Sequence, residues 1–160
     1  MDLALVAGQG PELLARYEGY GALVDEAAIV ALGFRDHLGE GVDGSQAIFG
    51  TSVRLLDLAS VRRLGPAAAS AQALQAFRAA GVAGFWIHYD VDVLDSTLMP
   101  AVDDPQPDGL TYEESTAIVR PLLDSELAAG MQVTIYDPDR DPDGAAGRQL
   151  ADWLVDLFSS

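Results

Sequence analysis

Four short apolar runs, set between segments of helical periodicity, constrain this chain more than any other feature. They are Ala28–Leu32, Ser52–Leu56, Gly84–Tyr89 and Met131–Tyr136. Each has the length of a strand, and the last two are rich in β-branched or aromatic residues. Pro66 to Ala80 puts a proline at a helix N-terminus, continues rich in alanine and stops near Gly81. Thr111 to Leu123 opens with Thr111 as N-cap and Glu114 three residues later, a capping box. Gly144 to Phe158 sets Leu150, Leu154, Leu157 and Phe158 on one helix face. Strands alternating with helices build βαβ units, so the expected fold class is α/β with a mostly parallel sheet and right-handed crossovers. The length of 160 residues fits one domain, 1–160. Phe85, Trp86, Trp153 and Phe158 read as core, and the glycines at 8 and 10 read as a helix end.

Charge excludes some partners. Nine basic groups, all arginine, stand against 25 acidic ones, for a net charge of −16. Nucleic acid and anionic membranes need clustered cations, so neither is an expected partner. The same excess suits divalent metal ions and cationic small molecules. With no cysteine, disulfides and thiolate-held zinc are ruled out, which fits a cytoplasmic location. Met1 to Val6 is apolar, has no basic lead and is too short to span a bilayer. It reads as the inside of a structural element, which leads to the expectation of an upstream part.

The longest irregular stretches are 33–46 and 90–108, and loops of that length inside a domain are more often functional than decorative. In a parallel sheet, ligands bind beyond the carboxyl ends of the strands. Asp90 and Asp92 follow directly on the third apolar run and alternate with Val91 and Val93. In extended backbone their carboxylates face one way. Two converging carboxylates repel unless a proton or a cation sits between them, and oxygen donors suit Mg²⁺, Mn²⁺ or Ca²⁺. A solvated turn after a strand explains the same spacing equally well.

The wider run from Asp90 to Glu114 separates the two readings. It contains Asp90-Val-Asp-Val-Leu-Asp95, then Pro100, Pro105 and Pro107, then Gly109-Leu-Thr-Tyr and Glu113-Glu114. This closely resembles, without a gap, a metal-binding stretch of the arginase, agmatinase and formimidoylglutamase (ureohydrolase) family. Val30–Asp36 and Leu58–Gly65 resemble flanking elements of that family more weakly. The resemblance implies a three-layer arginase-like parallel sheet flanked by helices, present here only as about its C-terminal half. It further implies that Asp90 and Asp92 ligate Mn²⁺, two ions in the intact family and at most a half-site here. The implied reaction is hydrolysis of a C–N bond in a guanidino or formimino compound, a small-molecule amidine. The family's remaining ligands are a His and an Asp-x-His-x-Asp cluster upstream, and they have no counterpart among His37 and His88. The chain alone is therefore expected to be inactive. The strand ending in that cluster lies, in the family sheet, among the strands present here. Its absence leaves unpaired edges, so a homo-oligomer or a missing N-terminal half is the expected partner. The alternative is a non-catalytic remnant or interaction domain that keeps half of the fold.

Several residues depart from the family pattern. Ser96 replaces a proline, and Val102-Asp103-Asp104 replaces a Thr-Gly-Thr stretch. The family's last strand carries a Glu three residues before a proline, where it pairs with the substrate guanidinium. Counting back from Pro138 gives Ile135, which cannot make a bidentate, charge-assisted pair. His88, two residues before Asp90, reads either as a hydrogen-bonded core histidine or as a metal neighbour. The acidic run Asp137–Gly144 opens like an EF-hand loop but places Leu150 where a Glu is needed. A strand-to-helix turn capped by Asp141 or Asp143 is the preferred reading.

Overall fold

The computed structural model describes residues 2–35 and 48–159. His37, Asp36 and most of the 33–46 stretch lie outside the described residues. The chain runs α1 (Asp2–Val6), α2 (Glu12–Ala15), β1 (Val30–Leu32), β2 (Arg54–Leu56), α3 (Leu58–Leu64), α4 (Pro66–Ala80), β3 (Phe85–Asp90), α5 (Tyr112–Leu123), β4 (Ala128–Thr134) and α6 (Ala145–Phe158). The α/β expectation holds, and the strand pairing among the described residues is parallel.

Local chemistry sets the helix boundaries. Asp57 accepts the Ser60 amide and caps α3. Gly65, at φ 90°, ends α3 and starts α4, and Pro66 takes the first helical position, where its missing N–H costs nothing. α4 closes on Gly81 in the left-handed conformation. The capping box of α5 is present in full: Glu114 N donates to Thr111 Oγ1 and Thr111 N donates to Glu114 Oε2.

The strands form two pairs rather than one sheet. β1 pairs with β2 and β3 with β4, so each strand has one partner among the described residues. Both pairs share one helical layer. Phe77 of α4 stacks on Phe85 at 4.6 Å between ring centroids. Trp153 of α6 packs against Tyr89 and Tyr112, at 5.0 and 5.6 Å, and donates to Thr116 Oγ1. Leu56, Val30 and Leu32 join this same core. On the opposite face of β1–β2, Ile29 and Val53 pack with Ala7, just past α1, so three layers are present there.

The opposite face of β3 differs. Phe85, Ile87 and Tyr89 are buried, while Trp86 and His88 alternate to an exposed face. This corrects the reading of Trp86 as core: it is 58% exposed, lies over Gly130 and donates to Gln132 Oε1. The period of two sends it away from the helical layer. Phe158 is likewise exposed, because Leu157 takes the inward position in the last turn of α6. Trp153 and Phe85 are core as read. No described helix is long and apolar enough to cross a membrane.

Candidate metal centre

β3 ends at Asp90 with extended backbone, φ −88° and ψ 119°, and Val91–Val93 then forms a 3₁₀ turn. The extended backbone expected through Asp92 stops two residues earlier, at Asp90. Val91 is fully buried, and its insertion into the core turns the chain before Asp92. Asp90 and Asp92 therefore sit on the two sides of a strand-to-turn junction at the carboxyl end of β3, both partly buried. Oδ1 of Asp90 is withdrawn from solvent.

The stretch that follows is irregular in backbone yet packed like core. Leu94, Met99, Ala101, Val102 and Leu110 are each at most 3% exposed. Burying such side chains stabilises a segment by about 1.5–3 kcal/mol for each large one, and this gives the loop a fixed course. Leu110 N donates to Val93 O at 2.9 Å, and Asp95 N donates to Leu110 O at 3.0 Å. Arg62 of α3 donates to Gly109 O at 2.7 Å and pairs with Glu114. From the end of β1, the Arg35 guanidinium donates to the carbonyls of Val93 and Asp92 at 2.9 Å, Gln106 at 3.2 Å and Leu94 at 3.4 Å.

Asp95 serves the loop. Its carboxylate accepts from Thr97 Oγ1 and Thr97 N, and those bonds hold its pKa below the ordinary carboxylate value. His88 is exposed, with Nδ1 2.6 Å from the Gln132 amide nitrogen and Nε2 3.3 Å from Thr134 Oγ1. It is hydrogen-bonded as expected, but on the open face rather than in the core. Both ring nitrogens are engaged with β4.

β4 ends beside the same rim, since Thr134 is the register partner of Asp90. Ile135 follows at once, 40% exposed and at φ 74°, a region that β-branched residues rarely occupy. In the acidic run beyond it, Asp141 accepts from Gly147 N at 2.8 Å, Tyr136 OH at 2.8 Å and Ala146 N at 3.2 Å. Asp143 accepts from Ala145 N. Gly144 holds the N-cap position of α6, and both carboxylates accept its first-turn amides from ahead of that residue, so they are spent on the start of α6. The amide bonds, that from Gly147 foremost, lower the pKa of Asp141. The hydrogen bond from Tyr136 OH to the Asp141 carboxylate in turn makes that hydroxyl harder to ionise.

Among the described residues, no group of three or more His, Asp or Glu side chains converges as a metal site. Two carboxylates at one strand end are oxygen donors of the type Mn²⁺ accepts. The model of the Arginase family matches residues 16–158. The chain belongs to the arginase family. It is 28% identical to the arginase of Brucella melitensis over 148 residues, which is 89% of this chain and 46% of that protein. The crystal structure of arginase from Bacillus subtilis superposes with a TM-score of 0.86 at 25% identity, covering 100% of this chain and 53% of that one. Formimidoylglutamase from the same species shares the fold, with a TM-score of 0.73 over 84% of this chain and 42% of that one. This arginase-family chain thus spans about half the length of the relatives it matches most fully.

Arg35 and Asp95 are the site-shaping residues that sequence reasoning missed. The Asp95-x-Thr97 pattern was a usable signal, because an Asp commonly bonds the amide two residues on. Arg35 stands in the Val30–Asp36 stretch that resembles a strand end of the family, but its acceptors are main-chain carbonyls more than fifty residues away, which no local pattern shows.

Proposed function

We propose that this chain supplies the C-terminal portion of a dimanganese ureohydrolase, with Asp90 and Asp92 as its contribution to the metal centre. Hydrolysis of a C–N bond in a guanidino or formimino compound requires the rest of the arginase fold. The observation that carries the reading is the position of both aspartates at the carboxyl end of a parallel strand, on a loop packed and pinned from two sides. Carboxylate oxygens at that rim would hold Mn²⁺, which when bound activates water at neutral pH. The chain's own residues orient the carboxylates and keep the loop dry through Leu94, Met99 and Val102.

The division of the strands into two pairs supports a need for completion. Two-stranded sheets are marginal by themselves, and parallel sheets are normally buried on both faces. A second copy, or the portion of the family fold this chain does not carry, would cover the open β3–β4 face and its edge. Location in the cytoplasm belongs to this same reading. Ile135 favours a second reading, a non-catalytic interaction domain, because an aliphatic side chain stands where the family pairs a carboxylate with its substrate.

The test is a hydrolase assay on the purified chain, alone and mixed with the N-terminal half of a bacterial arginase. No urea or ammonia is expected from the chain alone with arginine, agmatine or formimidoylglutamate. Release by the chain alone that disappears in Asp92→Ala would overturn the half-site reading.

A further inference from the structure

The 3₁₀ turn at Val91–Val93 creates a problem of acceptors. Its single internal bond, Leu94 N to Val91 O, leaves the next carbonyls without an intrahelical donor. Val93 O receives Leu110 N. Asp92 O and Leu94 O point toward the end of β1, and there the Arg35 guanidinium reaches both, together with Val93 O and Gln106 O. A guanidinium presents five N–H donors in a rigid planar fork, so one side chain can serve several carbonyls at fixed angles. Gly33, at φ 79°, lets the chain come this near, because a Cβ there would stand 3.0 Å from Val93 Cγ2 and 3.3 Å from Leu110 Cδ1.

β1 and β3 share no backbone pairing among the described residues. The guanidinium therefore spans the division between the two strand pairs at the rim where Asp90 and Asp92 stand. We propose that Arg35 is a positioning residue for the metal rim: by gathering the carbonyls of residues 92–94 it fixes the turn, and through the turn the two carboxylates. This rests on the reading of Asp90 and Asp92 as metal ligands. It assigns Arg35 no contact with metal or substrate.

Charge and geometry make opposite forecasts here, which gives the test its sign. A guanidinium close to a cation site repels the cation, so by charge alone Arg35→Met should bind Mn²⁺ more tightly. If positioning is the role, the same change weakens binding. Groups that orient metal ligands typically contribute about 10- to 100-fold in affinity.

The experiment compares the full chain with Arg35→Met and Arg35→Lys. Amide hydrogen exchange is read at Leu94, Asp95 and Leu110 without metal, and Mn²⁺-induced broadening is read at the amides around Asp90 and Asp92. In Arg35→Met, loop exchange should accelerate while the amides of α6 keep their rates, and Mn²⁺ affinity should fall about 10-fold or more. Arg35→Lys keeps the charge but offers a point donor without the fork, so it should recover only part of both effects. Unchanged or tighter Mn²⁺ binding in Arg35→Met overturns the proposal, as does full recovery by lysine. If the wild-type chain shows no Mn²⁺ broadening at all, the metal reading falls instead. Loop exchange then decides alone whether Arg35 holds the turn.

Discussion

Gly109→Ala should damage the aspartate loop through space alone. A Cβ on Gly109 would fall on the carbonyl group of Leu94 and the amide of Asp95, both main-chain groups that no side-chain rotation can move. Carbon atoms settle at about 3.5–4.0 Å, so the 108–110 strip must retreat by roughly 1 Å. That retreat breaks or stretches two bonds, Leu110 N to Val93 O and Asp95 N to Leu110 O, worth about 1 kcal/mol each in net terms. It also loosens Leu94 and Leu110, whose burial contributes about 1.5–3 kcal/mol apiece when complete. A loss of about 2–4 kcal/mol follows, or roughly 10 °C in Tm for a chain of this size. Urea unfolding followed by tryptophan fluorescence and circular dichroism measures it. Gly130→Ala is the contrast, since a Cβ there meets only the Trp86 indole, which is exposed and can swing outward at the loss of one surface hydrogen bond to Gln132. A Gly109→Ala chain as stable as the wild type, or no worse than Gly130→Ala, would refute the reasoning.

Three further outcomes follow from the structure. Asp141 has a folded pKa below its unfolded value, so its contribution is present above the ordinary carboxylate pKa of about 3.9 and is lost as pH falls through the folded value. Asp141→Asn should therefore be less stable than wild type near neutrality and converge with it in acid, and urea midpoints that stay parallel down to the acid limb would contradict this. Thr111→Ala removes the acceptor for Glu114 N and should cost about 1 kcal/mol in thermal or chemical unfolding, while an unchanged midpoint would count against the capping box. Ile135→Gly should stabilise the chain by about 1 kcal/mol, because φ 74° strains a β-branched residue, and calorimetry showing a lower Tm would refute that strain.

The helices were legible where the sequence punctuates them. α4 runs over the expected residues because Pro66 and Gly81 are local signals, and Thr111 with Glu114 fixed the start of α5 in the same way. β4 begins earlier than its apolar run, at Ala128, because Ala128 and Gly130 pair with Phe85 and Trp86 while Ala129 bulges out of the register, a tertiary pairing that propensity does not announce. α3 abuts β2 and shows little periodicity, so only its Asp57 cap announces it. Trp86 could not be placed because a strand shows which residues share a face, not which face meets the helices. At the candidate site, the aspartate motif was visible as a spacing. The turn at Val91 and the arginine beneath it are tertiary, and they depend on carbonyls that every residue carries.

Mn²⁺ calorimetry on the purified chain, with Asp90→Ala and Asp92→Ala beside it, tests the central claim most directly. The account predicts weak binding that each substitution removes, as expected of two carboxylates that supply only part of a two-ion centre. Tight binding of two ions by the chain alone, or binding indifferent to both substitutions, would contradict it.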